Sequence, residues 1–293
     1  MEKKKLPISI VIRTINEEKN IVDCIKSCWE NNPEEIIISD GGSTDKTLEL
    51  ARENGAKIVT TKKGLATQRE SGVQTATFPY LAIIDADDRL KDDCLAILLK
   101  EMQEGKYDAI HAQHRNFYDW PGNKNLKKEK NYWEEAMDAN LEIICSKFGP
   151  TTMVGRPALY KTAALKQITL DPIFKKASED SDLSYRFYLK GLKQASGSGI
   201  TYRKHLSNFK ASIKKFFLSG TGEALFVFRH PEKLSATIKH ELYIYPIKRS
   251  YLAISKGYIK YVPFFILNGL CRFVGFITTM TKIAFKKEPL LFP

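Results

Sequence analysis

Acidic residues near position 85 form the group best suited to chemistry in this sequence. Asp85, Asp87 and Asp88 come directly after the apolar run 80–84, so their carboxylates are expected at the end of a buried strand. Clustered carboxylates repel one another unless a cation neutralises them. Hard oxygen ligands suit Mg²⁺ or Mn²⁺, which usually share their coordination shell with substrate phosphates. The pattern therefore predicts a divalent metal site, and a solvated loop that caps the next helix is the alternative.

A second polar segment, residues 40–45, also follows a strand pattern and precedes a helix pattern. A glycine turn with a helix cap at Ser43 or Thr44 would explain most of it. The turn does not explain Asp40, because a carboxylate at the end of a strand is also a good acceptor for an imide N–H, such as that of uracil. Asp40 is therefore a candidate for binding a nucleoside base.

Alternating strands and helices must position these groups. Apolar strand patterns at 8–12, 35–39, 57–60 and 81–84 are separated by helix patterns. This alternation predicts an α/β fold, in which helices flank a mainly parallel sheet on both faces. Ligands bind such sheets beyond the carboxyl ends of the strands. Asn16, Asp40 and the acidic group at 85–88 are therefore expected on one rim.

Five segments, taken in order, closely resemble the successive signatures of family 2 glycosyltransferases. They are SIVIRTINEE at 9–18, SDGGSTD at 39–45, GLAxxRxxG at 64–72, DADD at 85–88, and the pair Glu179 and Asp180. The resemblance covers roughly Leu6 to His205. It implies a GT-A fold, which is Rossmann-like, and a hexosyltransferase-type enzyme that uses a nucleoside-diphosphate sugar, with UDP favoured.

The resemblance also implies roles for individual residues. Asp180 would be the catalytic base, and Asp87 would bind the metal. His205 resembles a histidine that approaches the metal or the diphosphate in some relatives. The substrate-binding residues would be Thr14, Asn16, Glu17 and Asp40 at the nucleoside, Arg69 at the base or diphosphate, Asp85 on the ribose and metal side, and Glu179 in a supporting role.

The implied chemistry agrees with general physical arguments. A glycosyl diphosphate leaves only if charge on its bridging oxygen is stabilised, and a metal fixed by Asp87 would do so as a Lewis acid. The acceptor hydroxyl must lose its proton as it attacks, and Asp180 is the candidate to take it. A single displacement of this kind inverts the anomeric configuration.

Two departures from the family pattern are visible. Arg13 stands where a proline usually precedes the Thr-x-Asn stretch, and no Gln-x-x-Arg-Trp motif follows Asp180. The second departure argues against a processive polysaccharide synthase.

The last third of the chain differs from the rest in charge. Residues 201–293 contain 16 Lys and Arg against 4 Asp and Glu, so they carry the whole net charge of +12. We expect a catalytic domain at 1–205 and a basic, apolar helical extension at 206–293. The charge favours an anionic membrane surface, and no module that reads nucleic acid is recognisable.

The apolar stretch 261–285 allows three arrangements. It could span the membrane, lie in the membrane interface or pack in the core, and Arg272 within it makes spanning costly. The N-terminus carries no pattern of a secretory signal. We therefore expect a cytoplasmic protein, peripheral at the inner face of the cell membrane, that builds envelope glycans or glycolipids on a glycan or lipid-linked acceptor.

Two other classes of protein share part of this pattern. A sugar-nucleotide pyrophosphorylase would have a similar sheet and metal carboxylates, but it normally opens with a glycine-rich phosphate loop, which residues 13–18 lack. A non-catalytic protein that binds nucleotide sugars or is tethered to the membrane would tolerate the loss of Asp180.

Overall fold

The computed structural model describes residues 4–121, 129–144, 148–203 and 208–286. This part of the chain divides into two compact units. The first unit contains every strand of the described residues, together with the helices that flank them. The second unit is helical, and it combines the chain from Asn208 onward with residues 129–144 and 173–178.

The first unit is built on one mixed sheet. Its order is β3-β2-β1-β4-β8-β6-β9-β5, and β7 pairs with β9 outside this path. The strands are β1 (Leu6–Thr14), β2 (Pro33–Asp40), β3 (Lys57–Thr60), β4 (Tyr80–Asp85), β5 (Asp88–Leu90), β6 (Ala109–Asn116), β7 (Gly149–Thr151), β8 (Ala158–Lys161) and β9 (Gln194–Arg203).

Strand direction differs between the two halves of the sheet. The strands β1 to β4 are parallel to one another, as their alternation with helices predicts. β8 runs antiparallel to both β4 and β6, and β5 and β7 run antiparallel to β9, whereas β6 and β9 are parallel. The predicted α/β class is confirmed, and the parallel order is concentrated in the N-terminal half.

Helices cover both faces of this sheet. Ile10 and Ile12 of β1 point into one apolar core and Val11 points into the other, which is the alternation expected of a strand. Burial on both faces explains why these strands read as continuous apolar runs. The flanking helices are α1 (Ile21–Glu30), α2 (Thr47–Glu53), α3 (Leu65–Thr75), α4 (Cys94–Glu104), α6 (Thr162–Lys166) and α7 (Glu179–Leu189).

The start of α2 differs from the prediction. Neither Ser43 nor Thr44 caps this helix, because Ser43 is used in the turn below Asp40. Asp45 takes the capping role instead: its carboxylate accepts from the backbone N–H of Thr47 at 3.0 Å. The predicted cap was therefore wrong by one or two residues.

The second unit consists of helices that pack on one another. It contains α5 (Tyr132–Ile144), α8 (Phe209–Arg229), α9 (Leu234–Lys239), a π-helical segment (His240–Lys248), α10 (Arg249–Ser255) and α11 (Val262–Lys286). Gly220 of α8 lies against the backbone of Arg272, and Gly275 of α11 lies against the backbone of Phe217. Two helices approach this closely only where no side chain stands between them.

A buried ion pair stabilises the middle of α11. Arg272 donates to both oxygens of Glu241, from Nε at 2.8 Å and from Nη2 at 2.7 Å. One helical stretch of the described residues, Ile259–Phe285, is long and apolar enough to cross a membrane, and 44% of its most apolar window is buried within the protein. Core helices of soluble proteins can have the same length and composition.

Candidate active site

The ends of three parallel strands bring the predicted polar groups together. Thr14 is the register partner of Asp40 between β1 and β2, and Arg13 is the partner of Asp85 between β1 and β4. The nucleoside and metal candidates therefore occupy one rim of the sheet. This convergence is the one predicted from the carboxyl ends of the strands.

Asp40 organises the turn that follows β2. Its Oδ2 accepts from the backbone N–H groups of Gly42 and Ser43, both at 2.8 Å, and its Oδ1 accepts from the hydroxyl of Thr14 at 3.1 Å. The side chain is fully buried. Asp40 thus fixes the shape of the rim, and its role toward a nucleoside stays a prediction.

Asn16 and Glu17 are held beside this turn. Asn16 adopts a left-handed backbone with φ of 53°, which Asn tolerates better than most residues. Its Oδ1 accepts from the backbone N–H of Thr44 at 2.8 Å, and the N–H of Glu17 donates to the hydroxyl of Thr47 at 2.7 Å. Burial raises the pKa of Glu17, and Asp87 adds to the rise, so the carboxyl of Glu17 lies near the acidic cluster.

Arg69 connects the rim to α7. It is 1% exposed, it binds Oδ1 of Asp85 through Nη2 at 2.5 Å, and its Nη1 binds Glu179. Gly72, in the same motif at 64–72, explains how α3 places Arg69 at this position. A Cβ on Gly72 would lie 2.3 Å from Val11, so α3 packs directly on β1, with Arg69 one turn earlier on the same side.

The three carboxylates of the acidic cluster lie close enough to share one cation. Oxygen atoms of Asp85, Asp87 and Asp88 lie within 4.8 Å of one another. Asp88 is fully buried, and Arg203 binds it with two nitrogens, Nε at 2.6 Å and Nη2 at 2.8 Å. The same Nη2 lies 3.0 Å from Oδ2 of Asp85. Arg203 therefore supplies positive charge to two members of the cluster.

The three carboxyl groups differ in their proton affinity. Burial would raise the pKa of Asp85, but Arg69 and Arg203 outweigh it and hold that pKa well below its usual range. Burial raises the pKa of Asp87, and Asp88 adds to the rise although Arg203 opposes it. Burial also raises the pKa of Asp88, although Arg203 opposes the rise, so Asp87 and Asp88 both hold a proton more tightly than Asp85 does.

The cluster fits the divalent cation that the sequence implied. All three groups offer hard oxygen ligands, and Asp87 is only partly buried, so it can reach a bound ion. Arg69 and Arg203 already balance the charges of Asp85 and Asp88, so the partly buried carboxylate of Asp87 is the one that a cation would balance. Oxygen ligands of this kind accommodate both Mn²⁺ and Mg²⁺.

Asp180 opens α7 beside a second arginine. Its side chain is 34% exposed, and its Oδ2 lies 3.5 Å from Nη2 of Arg156. Arg156 also binds Glu179, which is buried between Arg156 and Arg69. Burial opposes the charge of Arg156, but Glu179 and Asp180 raise its pKa overall. Glu179 thus positions both guanidinium groups, and Asp180 keeps an accessible carboxylate.

Arg156 and Arg203 were not among the predicted site residues. Arg156 precedes a proline in a segment without a motif, so its sequence carried no signal. Arg203 lies two residues before His205, at the end of a strand that pairs with β5, and the convergence of strand ends could have identified it. His205 itself lies outside the described residues, so its predicted role in metal binding stays a prediction.

Comparison with protein families gives one match over more than half of the chain. A sequence model of glycosyl transferase family 2 matches residues 9–169. The matched range contains the strand ends, Arg69 and the acidic cluster described above.

Individual relatives match over shorter regions. The chain is 29% identical over 127 residues to the glycosyltransferase GlyG of Streptococcus pneumoniae serotype 4, and this match covers 40% of the chain and 42% of GlyG. It is 28% identical over 138 residues to chondroitin synthase of Escherichia coli, covering 40% of the chain and 20% of that protein. The chain thus matches less than half of the length of either relative.

Solved structures share the fold. Glucosyl-3-phosphoglycerate synthase from Mycobacterium tuberculosis, in complex with Mn²⁺, UDP and glucosyl-3-phosphoglycerate, superposes with a TM-score of 0.56 at 18% identity, covering 76% of this chain and 79% of that one. S. aureus TarS 1-349 in complex with UDP-GlcNAc gives a TM-score of 0.52 at 15% identity, covering 96% and 92%. These likenesses confirm the predicted GT-A architecture.

Proposed function

Since the chain belongs to glycosyl transferase family 2, we propose that it transfers a sugar from a nucleoside-diphosphate sugar to a hydroxyl group of a glycan or lipid-linked acceptor. The transfer is a single displacement that inverts the anomeric carbon. The enzyme is of the hexosyltransferase type, and it depends on a divalent metal, Mn²⁺ or Mg²⁺.

One continuous chain of ion pairs carries this proposal. It runs from Asp85 through Arg69 to Glu179, and from there through Arg156 to Asp180. This series of ion pairs joins the acidic cluster to the partly exposed carboxylate of Asp180. Packing of the core does not require so many charges in one place. Burial of charges is costly unless they are paired, so the network is a fixed and pre-organised arrangement.

Each group has a part in the reaction. Asp87, with Asp85 and Asp88 beside it, would hold the metal, which when bound would stabilise negative charge on the departing diphosphate. Arg69 and Arg203 fix the orientation of the cluster. Asp180 accepts the proton of the acceptor hydroxyl as that oxygen attacks, and Arg156 orients its carboxylate.

Two observations support a UDP-sugar as the donor: the ligands of the similar solved structures and the polar residues on the rim of the sheet. The two solved structures named above contain UDP or UDP-GlcNAc. Thr14, Asn16, Glu17 and Asp40 lie together on the rim and form the nucleoside side of the proposed site. We therefore favour a UDP-sugar as the donor, with the enzyme at the inner face of the cell membrane.

Donor binding and turnover are measured separately to test the proposal. UDP-, GDP- and TDP-sugars are compared by thermal shift with Mn²⁺ and with a chelator, because a ligand that binds the folded state raises its stability. Release of the nucleoside diphosphate then reports turnover. Asp180→Asn is expected to keep the metal-dependent shift and to lower turnover about 10²- to 10⁴-fold, the usual contribution of a general base.

Ser181→Ala is the matched control, because it alters the neighbouring side chain in the same turn of α7. It is expected to leave both measurements unchanged. Unchanged turnover in Asp180→Asn would remove the assignment of the base, and the absence of any shift with all three donor classes would contradict the proposed function as a whole.

A further inference from the structure

The second unit presents an apolar surface that its own helices do not cover. We propose that this surface lies flat on an anionic lipid bilayer, with α11 in the plane of the membrane rather than across it. We call it the apolar face and define it by two stripes. The first comprises Pro263, Ile266, Leu270, Val274, Ile277 and Phe285 of α11, and the second comprises Tyr243, Ile247, Tyr251 and Ile254.

The stripe on α11 follows one side of the helix. Its members are spaced three or four residues apart between positions 263 and 277, and Phe285 continues the same side. Leu270 and Val274 are each 55% exposed, and Phe285 is 89% exposed. At 1.5 Å per residue the stripe is about 33 Å long. An isolated exposed leucine is ordinary, but an apolar patch of this length indicates a binding surface.

The second stripe borders the first. A Cβ on Gly269 of α11 would lie 2.6 Å from Pro246 of the π-helical segment, so the two elements touch at this point. The next residue in each, Leu270 and Ile247, is exposed. The two stripes therefore lie on elements that touch one another.

Charge identifies the partner of the apolar face. Between positions 234 and 286 the only acidic residue is Glu241, which is buried and bound to Arg272. Five lysines of the same segment are exposed, namely Lys239, Lys248, Lys256, Lys260 and Lys282. Lys260 also pairs with Glu135 of α5, and Lys256 donates to the carbonyl oxygen of Glu142. Each lysine near an anionic lipid surface contributes about 1 kcal/mol of attraction. A second copy of the chain would instead bring lysines against lysines, which is unfavourable.

The neighbouring helix explains why α11 lies in the membrane plane. Phe217 of α8 contacts Gly275 in the middle part of α11, and the exposed Lys214 and Lys215 precede Phe217 by two or three residues. If α11 crossed the bilayer, these lysines would lie near its centre at roughly 3 kcal/mol each. A helix in the interface buries only one face in lipid and keeps its charged neighbours in water.

Vesicle flotation tests the surface without any use of sugar transfer. The full chain is mixed with vesicles of phosphatidylcholine alone or of phosphatidylglycerol and phosphatidylcholine in equal parts. It is expected to float with the anionic vesicles, and less so at high salt. The double variant Leu270→Asn with Val274→Asn is expected to lower the bound fraction at least about tenfold, because each change removes a large apolar contact.

The matched control carries the same kind of change on the other unit. Tyr188 and Leu189 of α7 are exposed at 54% and 59%, so Tyr188→Asn with Leu189→Asn removes similar exposed apolar area. This control is expected to float like the parent, and thermal unfolding verifies that both double variants are folded. Equal flotation of the two double variants would overturn the proposal. So would a parent dimer in sedimentation velocity that becomes a monomer in the α11 variant while neither form floats.

Labelling distinguishes a helix in the plane from one that crosses. Ser255→Cys and Lys282→Cys place exposed thiols before and near the end of α11. A membrane-impermeant maleimide added outside the vesicles is expected to label both positions above the background of the parent. Protection of the thiol at position 282 alone would show that α11 crosses the bilayer and would overturn the in-plane arrangement.

Discussion

Arg203 binds Asp88 through two nitrogens, at 2.6 Å from Nε and 2.8 Å from Nη2, and this pair joins the end of β9 to the acidic cluster. Asp88 has no exposed surface, so its charge depends on this partner. The arrangement gives the cluster a fixed shape before any ligand binds.

Removal of this partner is expected to destabilise the fold. Arg203→Met leaves the Asp88 carboxylate buried and unpaired, which typically costs about 3 to 5 kcal/mol. Urea unfolding at neutral pH measures the change. Arg203→Met combined with Asp88→Asn is expected to recover part of the loss, because the uncompensated charge is gone. If the double variant were as unstable as the sum of the single variants, the pair would not be coupled.

Arg156 is expected to act on the reaction through Asp180. Arg156→Lys keeps a positive charge but loses the planar guanidinium that meets Glu179 and Asp180 together. We expect kcat to fall about tenfold or more while the KM for the donor changes little, since the loss concerns the proposed base. A rise in KM with kcat unchanged would instead place Arg156 in donor binding.

Metal dependence is expected to reside in Asp87. Asp87→Asn removes one charged oxygen ligand from the cluster, so the Mn²⁺-dependent rise in thermal stability should shrink or vanish. Asp92→Asn is the control, because it neutralises an exposed carboxylate a few residues away. An equal loss of the metal response in both variants would indicate a general charge effect rather than a site.

Stability at acid pH is expected to depend on Glu35. Burial would raise its pKa, but hydrogen bonds from Lys57, Ser9 and Thr77 lower it to about 2 from 4.5. A pKa lower in the folded than in the unfolded state stabilises the fold above pH 4.5, and this contribution is lost as the pH falls toward 2. It amounts to at most about 3 kcal/mol at neutral pH, and solvent screening of the exposed Lys57 lowers this value.

The comparison variant for this carboxylate is Glu35→Gln, which can still accept hydrogen bonds but carries no charge. Parent and variant are expected to differ in the free energy of unfolding at pH 7 and to converge between pH 4.5 and 2. Denaturant titrations across this range measure the difference. A constant difference down to pH 2 would show that the charge of Glu35 is not the cause.

Close packing of α3 on β1 is expected to control both stability and the position of Arg69. In Gly72→Ala the new Cβ would lie 2.3 Å from Val11, and overpacking of this kind costs about 1 to 3 kcal/mol. Thermal unfolding and donor binding should both be impaired. Addition of Val11→Ala is expected to restore donor binding in part, because it opens space for the helix to return. No recovery in the double variant would contradict this explanation.

Local patterns predicted much of the first unit. The strands β1 to β4 were predictable because burial on both faces requires continuous apolar runs. β9 was not predicted, because its sequence QASGSGITYR has small and polar residues and is a strand only through pairing with β6 and β5. Tertiary context decided this element, since β propensity depends on neighbours more than on the residue itself.

The sequence by itself determined the α/β class, the shared rim of Asn16, Asp40 and the acidic group at 85–88, and the family resemblance, because these depend on periodicity and on the order of short motifs. Only the tertiary structure decided that Arg156 and Arg203 complete the ion-pair network, since the partners of Arg203 lie more than 100 positions away in the chain. It also decided which side of α11 is exposed. The apolar sequence indicates that much of α11 is buried away from water. Packing against α8 determines which side of α11 remains exposed.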